Sequence, residues 1–155
     1  MRGISLATFI GILAFMAPNA MAAGQHWYII SYLDGAVGFD LESIDTYGRK
    51  GINVTVGGYS PEAIETQSGV DAYFFVEAVQ FDCDGNINVR ASMLFDANHT
   101  RVEEERDMAD NWRSTRPSSI YLAINAAVCE NYALRNAREA YSLEEAFNVM
   151  KAVTK

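Results

Sequence analysis

The stretch Asp71-Ala72-Tyr73-Phe74-Phe75-Val76-Glu77-Ala78-Val79-Gln80-Phe81-Asp82-Cys83 decides the fold. Its apolar groups fall on odd and even positions alike. A strand with that pattern buries both faces, so it sits centrally in a sheet and is covered on each side. Asp84-Gly85-Asn86 is a tight-turn signal, and Ile87 to Asp96 reads as the returning strand. Asp96-Ala97-Asn98-His99 turns the chain again. Thr100 to Arg106 (TRVEEER) then reads as an acidic edge strand, whose charges discourage stray pairing.

Upstream the pattern stays β. His26 to Leu33 (HWYIISYL) is aromatic and β-branched, and Asp34-Gly35 marks a turn. Ala36 to Asp40 reads as a short strand, and Ile44 to Gly48 runs into a second turn. Ile52 to Val56 alternates with a period of two, and Gly57-Gly58 is expected to end it. Residues 60–70 read as a polar loop.

Downstream of Pro117 the period changes to that of a helix. Ile120, Ile124, Ala127 and Val128 share one face, and Ser118 or Ser119 can cap it, which predicts a helix from Ser119 to about Asn131. Ser142-Leu143-Glu144-Glu145 is a capping box. It opens a second helix, Leu143 to Val153, with Ala146, Phe147, Val149, Met150 and Val153 as its apolar stripe. The fold class expected is therefore α+β: a single antiparallel sheet of about five to six strands packed against a C-terminal helix, with a second short C-terminal helix.

Residues 1–22 read as a secretory signal peptide. Arg2 is the positive start, Ile4 to Ala17 the apolar run, and Ala20-Met21-Ala22 the small-x-small cleavage site. The run of about 14 residues is shorter than the ~20 that span a bilayer. No cysteine follows it, which argues against lipid anchoring. The expected product is a single domain over residues 23–155, in the periplasm or outside. The chain carries a formal net charge of -8, which disfavours nucleic acid and anionic membranes as partners.

Two cysteines in an exported chain allow one internal bridge, and a Cys83–Cys129 disulfide is expected to tie helix to sheet. A loop of this length gives a chain-entropy stabilisation of about 4 kcal/mol. A redox pair is the alternative, but such cysteines usually lie close in sequence.

The order of features resembles the surface-adhesin protein E family. The similarity is carried by the early Trp27 strand, then Asp40-Leu41-Glu42-Ser43-Ile44. A long strand ending in Asp82-Cys83 with a hairpin after it comes next, and then Trp112, Pro117-Ser118-Ser119 and the helix containing Val128-Cys129. It covers about residues 26–130, and residues 131–155 form a C-terminal helical extension beyond it. The resemblance implies one antiparallel sheet with a disulfide-fixed helix in an exported, non-enzymatic protein. It also implies adhesion to host matrix or serum proteins, and a capacity to dimerise.

The remaining candidates are few. His26 and His99 have no third ligand near them by spacing and read as surface histidines. Glu103, Glu104, Glu105, Asp107 and Asp110 form an acidic cluster that reads as a solvated edge. No nucleotide, metalloprotease or hydrolase motif is present, so no cofactor, metal or catalytic residue is expected. Tyr28, Tyr32, Tyr73 and Phe75 fall on alternating strand positions. The face that bears them needs cover from the helix, a second subunit or a ligand, and core packing competes with an interface role. The expected function is protein binding or adhesion. A structural or accessory subunit of an envelope complex is the alternative, and a small periplasmic hydrolase a further one.

Overall fold

The computed structural model describes residues 25–49, 51–115, 120–130 and 136–154. The expected leader and the expected Ser118 and Ser119 cap lie outside these residues.

The sheet grows by successive hairpins. Its strands are β1 (Trp27–Tyr32), β2 (Gly35–Tyr47), β3 (Gly51–Ile64), β4 (Ala72–Phe81), β5 (Asn86–Phe95) and β6 (Arg101–Glu105). Two short strands complete it: β7 (Arg113–Ser114) pairs with the start of β5, and β8 (Arg138–Ala140) adds to the free side of β1. The order is β6-β5-β4-β3-β2-β1-β8, with β7 off this path and every pairing antiparallel. This is an α+β fold, with β4 central and β6 at the edge, as the sequence indicates. Among the described residues the strands number eight rather than five to six. β7 and β8 have only two and three residues, too few to show a period.

Two boundaries differ from expectation for identifiable reasons. The segments 36–40 and 44–48 are one strand, β2, interrupted by a register shift between Asp40 and Asp45. There the Asp40 carboxylate accepts from the backbone N–H groups of His26 (2.9 Å) and Glu42 (3.1 Å). Ser43 Oγ donates to the Asp40 carbonyl at 2.6 Å and accepts from Thr55 N–H at 2.7 Å. Polar side chains thus replace the ladder bonds that a bulge leaves unmade. The second correction is that Gly57-Gly58 does not end β3, which runs on to Ile64. A Cβ on Gly57 would lie 3.0 Å from the Trp27 ring, and one on Gly58 would lie 2.2 Å from Phe75 Cζ. The glycines let aromatic rings close over the strand from opposite faces.

Among the described residues, each face of the sheet carries one helix. Helix α1 (Ile120–Cys129) covers a core of Val37, Phe39, Val54, Val56, Val79, Phe81 and Ile87, into which it sends Ile124. It stops at Cys129, short of the expected Asn131. Helix α2 (Leu143–Val153) covers Trp27, Ile29, Phe74, Val76 and Phe95, burying Ala146, Phe147 and Met150. Ser142 Oγ accepts from Glu145 N–H at 3.1 Å, and the Glu145 carboxylate reaches back to Tyr141 N–H at 2.8 Å, one residue before the cap, a shifted form of the capping box. The C-terminal segment is therefore built into the core: β8 extends the sheet and α2 roofs it.

The Cys83–Cys129 disulfide joins the β4–β5 turn to the end of α1, with Cα atoms 5.4 Å apart. β4 ends at Phe81, so Cys83 lies in the turn rather than at the strand end, at φ +57°.

Candidate functional site

Helix α2 lies across β8, β1, β2 and β3. Its Phe147 reaches Phe74 of β4 and Phe95 of β5, but the rest of that side of the sheet face is left open as a trough of about 660 Å3. The floor is Thr55 of β3, Val76 and Ala78 of β4, and Ala91 and Met93 of β5, with Leu143 at the start of α2 as one wall. Ala78 is exposed although it belongs to a central strand whose neighbours Val76 and Val79 are each 1% exposed. A small apolar side chain on an uncovered part of a central strand makes a shallow, greasy floor.

Charged groups ring this floor. Arg101 Nη1 and Arg106 Nε both bind the Glu104 carboxylate, the first at 2.8 Å. Arg90 binds Asp110. Asp110 also accepts from Asn88 at 3.0 Å, and Asn88 donates in turn to Gln80, which donates to Asn53 at 3.1 Å. This amide ladder crosses β5, β4 and β3 with its polar groups satisfied and lies outside the trough lining. At one end of the trough stands His99, in the β5–β6 turn at φ +64°. The Asp96 carboxylate shapes that turn by accepting from Asn98 N–H (2.8 Å) and Thr100 N–H (2.9 Å). The His99 ring lies against Phe74 (4.8 Å) and Phe147 (5.2 Å), so it packs on the core while facing the trough.

Under α1 the chemistry is different. Glu77 accepts a hydrogen bond from the Tyr121 hydroxyl, and the Arg113 guanidinium sits 5.8 Å from the centre of the Tyr121 ring. Burial raises the Glu77 carboxyl above the ordinary carboxylate range, against the lowering effects of Tyr121 and Arg113. Burial, then the neighbouring Glu77, raises Tyr121. The pair is a polar tie between helix and sheet.

His26 ties a third place, the junction of β1 and β8. Its Nε2 meets Glu139 at 3.1 Å and its ring stacks on Tyr141 at 4.9 Å. Tyr141 hydroxyl donates to the same carboxylate at 2.8 Å, and this bond, followed by that of His26, lowers the Glu139 carboxyl.

The residues singled out in the sequence separate. Tyr28, Tyr32 and Phe75 pack against the α1-side core, whereas Tyr73 packs against the α2-side core. The acidic run is largely engaged: Glu104 by two arginines, Asp110 by Arg90, and Glu103 by the backbone N–H of Gln67 at 2.7 Å. Among the described residues no group of three or more His, Cys, Asp or Glu side chains is placed to hold a metal ion. The trough itself was missed. Its only trace is the arginines at 90, 101 and 106, which sequence reading scattered over a hairpin and an acidic edge.

The fold defines an α+β protein with one antiparallel sheet, a helix on each face and a disulfide fixing one of them. No protein-family model matches the chain, and no curated protein matches it. Among the described residues no helix is long and apolar enough to cross a membrane.

Proposed function

We propose that this chain is an exported, non-catalytic binding protein that engages its partner through the open half of the sheet. The observation that carries the reading is the exposed trough floor around Ala78, a preformed concave apolar surface on rigid central strands. The Cys83–Cys129 disulfide supports export, because such bonds persist in oxidising compartments. The resemblance to the surface-adhesin protein E family supports adhesion to a host or envelope protein. A docking role for the C-terminal helix alone is disfavoured, because α2 spends its apolar face on the core.

The test is retention of purified extracellular-matrix proteins on the immobilised, oxidised chain, beside its Ala78→Arg variant. Retention by the wild type that the variant loses is the expected result. Equal retention by both, or none by either, contradicts the reading.

A further inference from the structure

The geometry points to an amphipathic anion as the ligand of the trough: a single apolar chain ending in a carboxylate, of the medium-chain fatty-acid class. This inference rests on the trough being the binding surface. Three observations carry it.

The floor supplies the apolar contact, with Ala78, Ala91 and Met93 contiguous across two adjacent strands above the buried Val76. A space of about 660 Å3 lies within the range of small-molecule sites.

The rim does not share the acidity of the whole chain. Formal net charge is -8, yet the residues lining the trough include three arginines against two carboxylates, Glu104 and Asp107. Arg90 is engaged outside the lining by Asp110. The other two arginines face Glu104 and Asp107 in equal number, and both bind Glu104, so that bonded cluster holds two guanidinium groups and one carboxylate.

That convergence is itself an anion site with an internal occupant. Two guanidinium groups offer more N–H donors than one carboxylate can accept, and guanidinium forks suit carboxylate oxygens. A ligand carboxylate can share or replace Glu104 while its chain lies along the floor toward Leu143. An amine-headed amphiphile would meet the same arginines with the wrong sign.

The experiment is a calorimetric titration of the oxidised chain at pH 7.5 with dodecanoate below its micellar concentration, with Met93 methyl resonances followed in parallel. Dodecyltrimethylammonium and acetate serve as head-reversed and tail-less controls. Dodecanoate should bind one to one and shift Met93, with both controls at least about tenfold weaker, the scale of one charge-assisted hydrogen bond. Joint Arg101→Gln and Arg106→Gln substitution should lose that factor, and Glu104→Gln should tighten binding by freeing both arginines. Equal binding of the ammonium amphiphile, an unmoved Met93, or no tightening in Glu104→Gln would overturn the inference. If dodecanoate fails while a matrix protein is still lost on Ala78→Arg, this inference falls and the binding reading stands. If both fail, both fall.

Discussion

Gly58 and Phe75 stand opposite each other in the β3–β4 ladder, and the Phe75 ring closes over the glycine so tightly that a Cβ there would lie 2.2 Å from Cζ. One residue earlier, Gly57 lies beneath Trp27 on the opposite face, where a Cβ would meet the ring at 3.0 Å and the flexible Met150 Cε at 3.3 Å. Gly58→Val should therefore destabilise the fold by about 1–3 kcal/mol through overpacking, and Gly57→Ala by less. Urea denaturation of both variants checks the order. A neutral Gly58→Val would show that the ring closure is dispensable.

The central hairpin was legible because its signals are local and redundant. Tyr73 to Phe81 is apolar on both parities, and it does carry a core on each face. Asp84-Gly85-Asn86 turns where expected, with Gly85 at φ +97°. The capping box at Ser142 was equally plain. The continuation of β3 through Gly57-Gly58 was not, because a glycine pair reads as a turn unless the rings that will cover it are known. Those rings come from residues 27 and 75. The trough was hidden for a related reason. It exists because α2 lies over one half of the sheet, and nothing in the periodicity of α2 states which half.

Phe147 marks how deeply the C-terminal segment is committed. Its ring is 1% exposed and lies 4.6 Å from Phe74 and 5.1 Å from Phe95. Phe147→Ala should cost about 3–5 kcal/mol, and deletion of residues 136–155 should abolish the cooperative transition by uncovering Trp27 and Phe74. Thermal unfolding followed by near-ultraviolet circular dichroism measures both. A truncated chain that still melts cooperatively would show that the sheet stands without its roof.

The disulfide should contribute about 4 kcal/mol, the chain-entropy scale for a loop of this length. Joint Cys83→Ser and Cys129→Ser substitution should lower the urea midpoint accordingly. It should also loosen α1 before the sheet, because the bond fixes that helix to the β4–β5 turn. Hydrogen exchange of α1 amides reads the second effect, and unchanged protection there would refute it.

Glu77 should give stability a distinct pH dependence. Its folded carboxyl is raised above the unfolded value, so the folded state holds the proton more tightly. Relative to Glu77→Gln, the wild type should be at its most favourable below the ordinary carboxylate range. It should lose ground as pH rises from there through the raised value, then level off. Paired urea titrations across acid to neutral pH test this. A wild type that gains on the variant as pH rises would reverse the assigned sign.

The open half of the sheet is tested most directly by alkylation of a cysteine placed on its floor. In the oxidised chain, Ala78→Cys should react with a maleimide at nearly the rate of an unstructured thiol. Val76→Cys, one step along the same face and 1% exposed in the wild type, should react far more slowly. Equal and slow reaction at both positions would mean that the floor is covered, and would contradict the account.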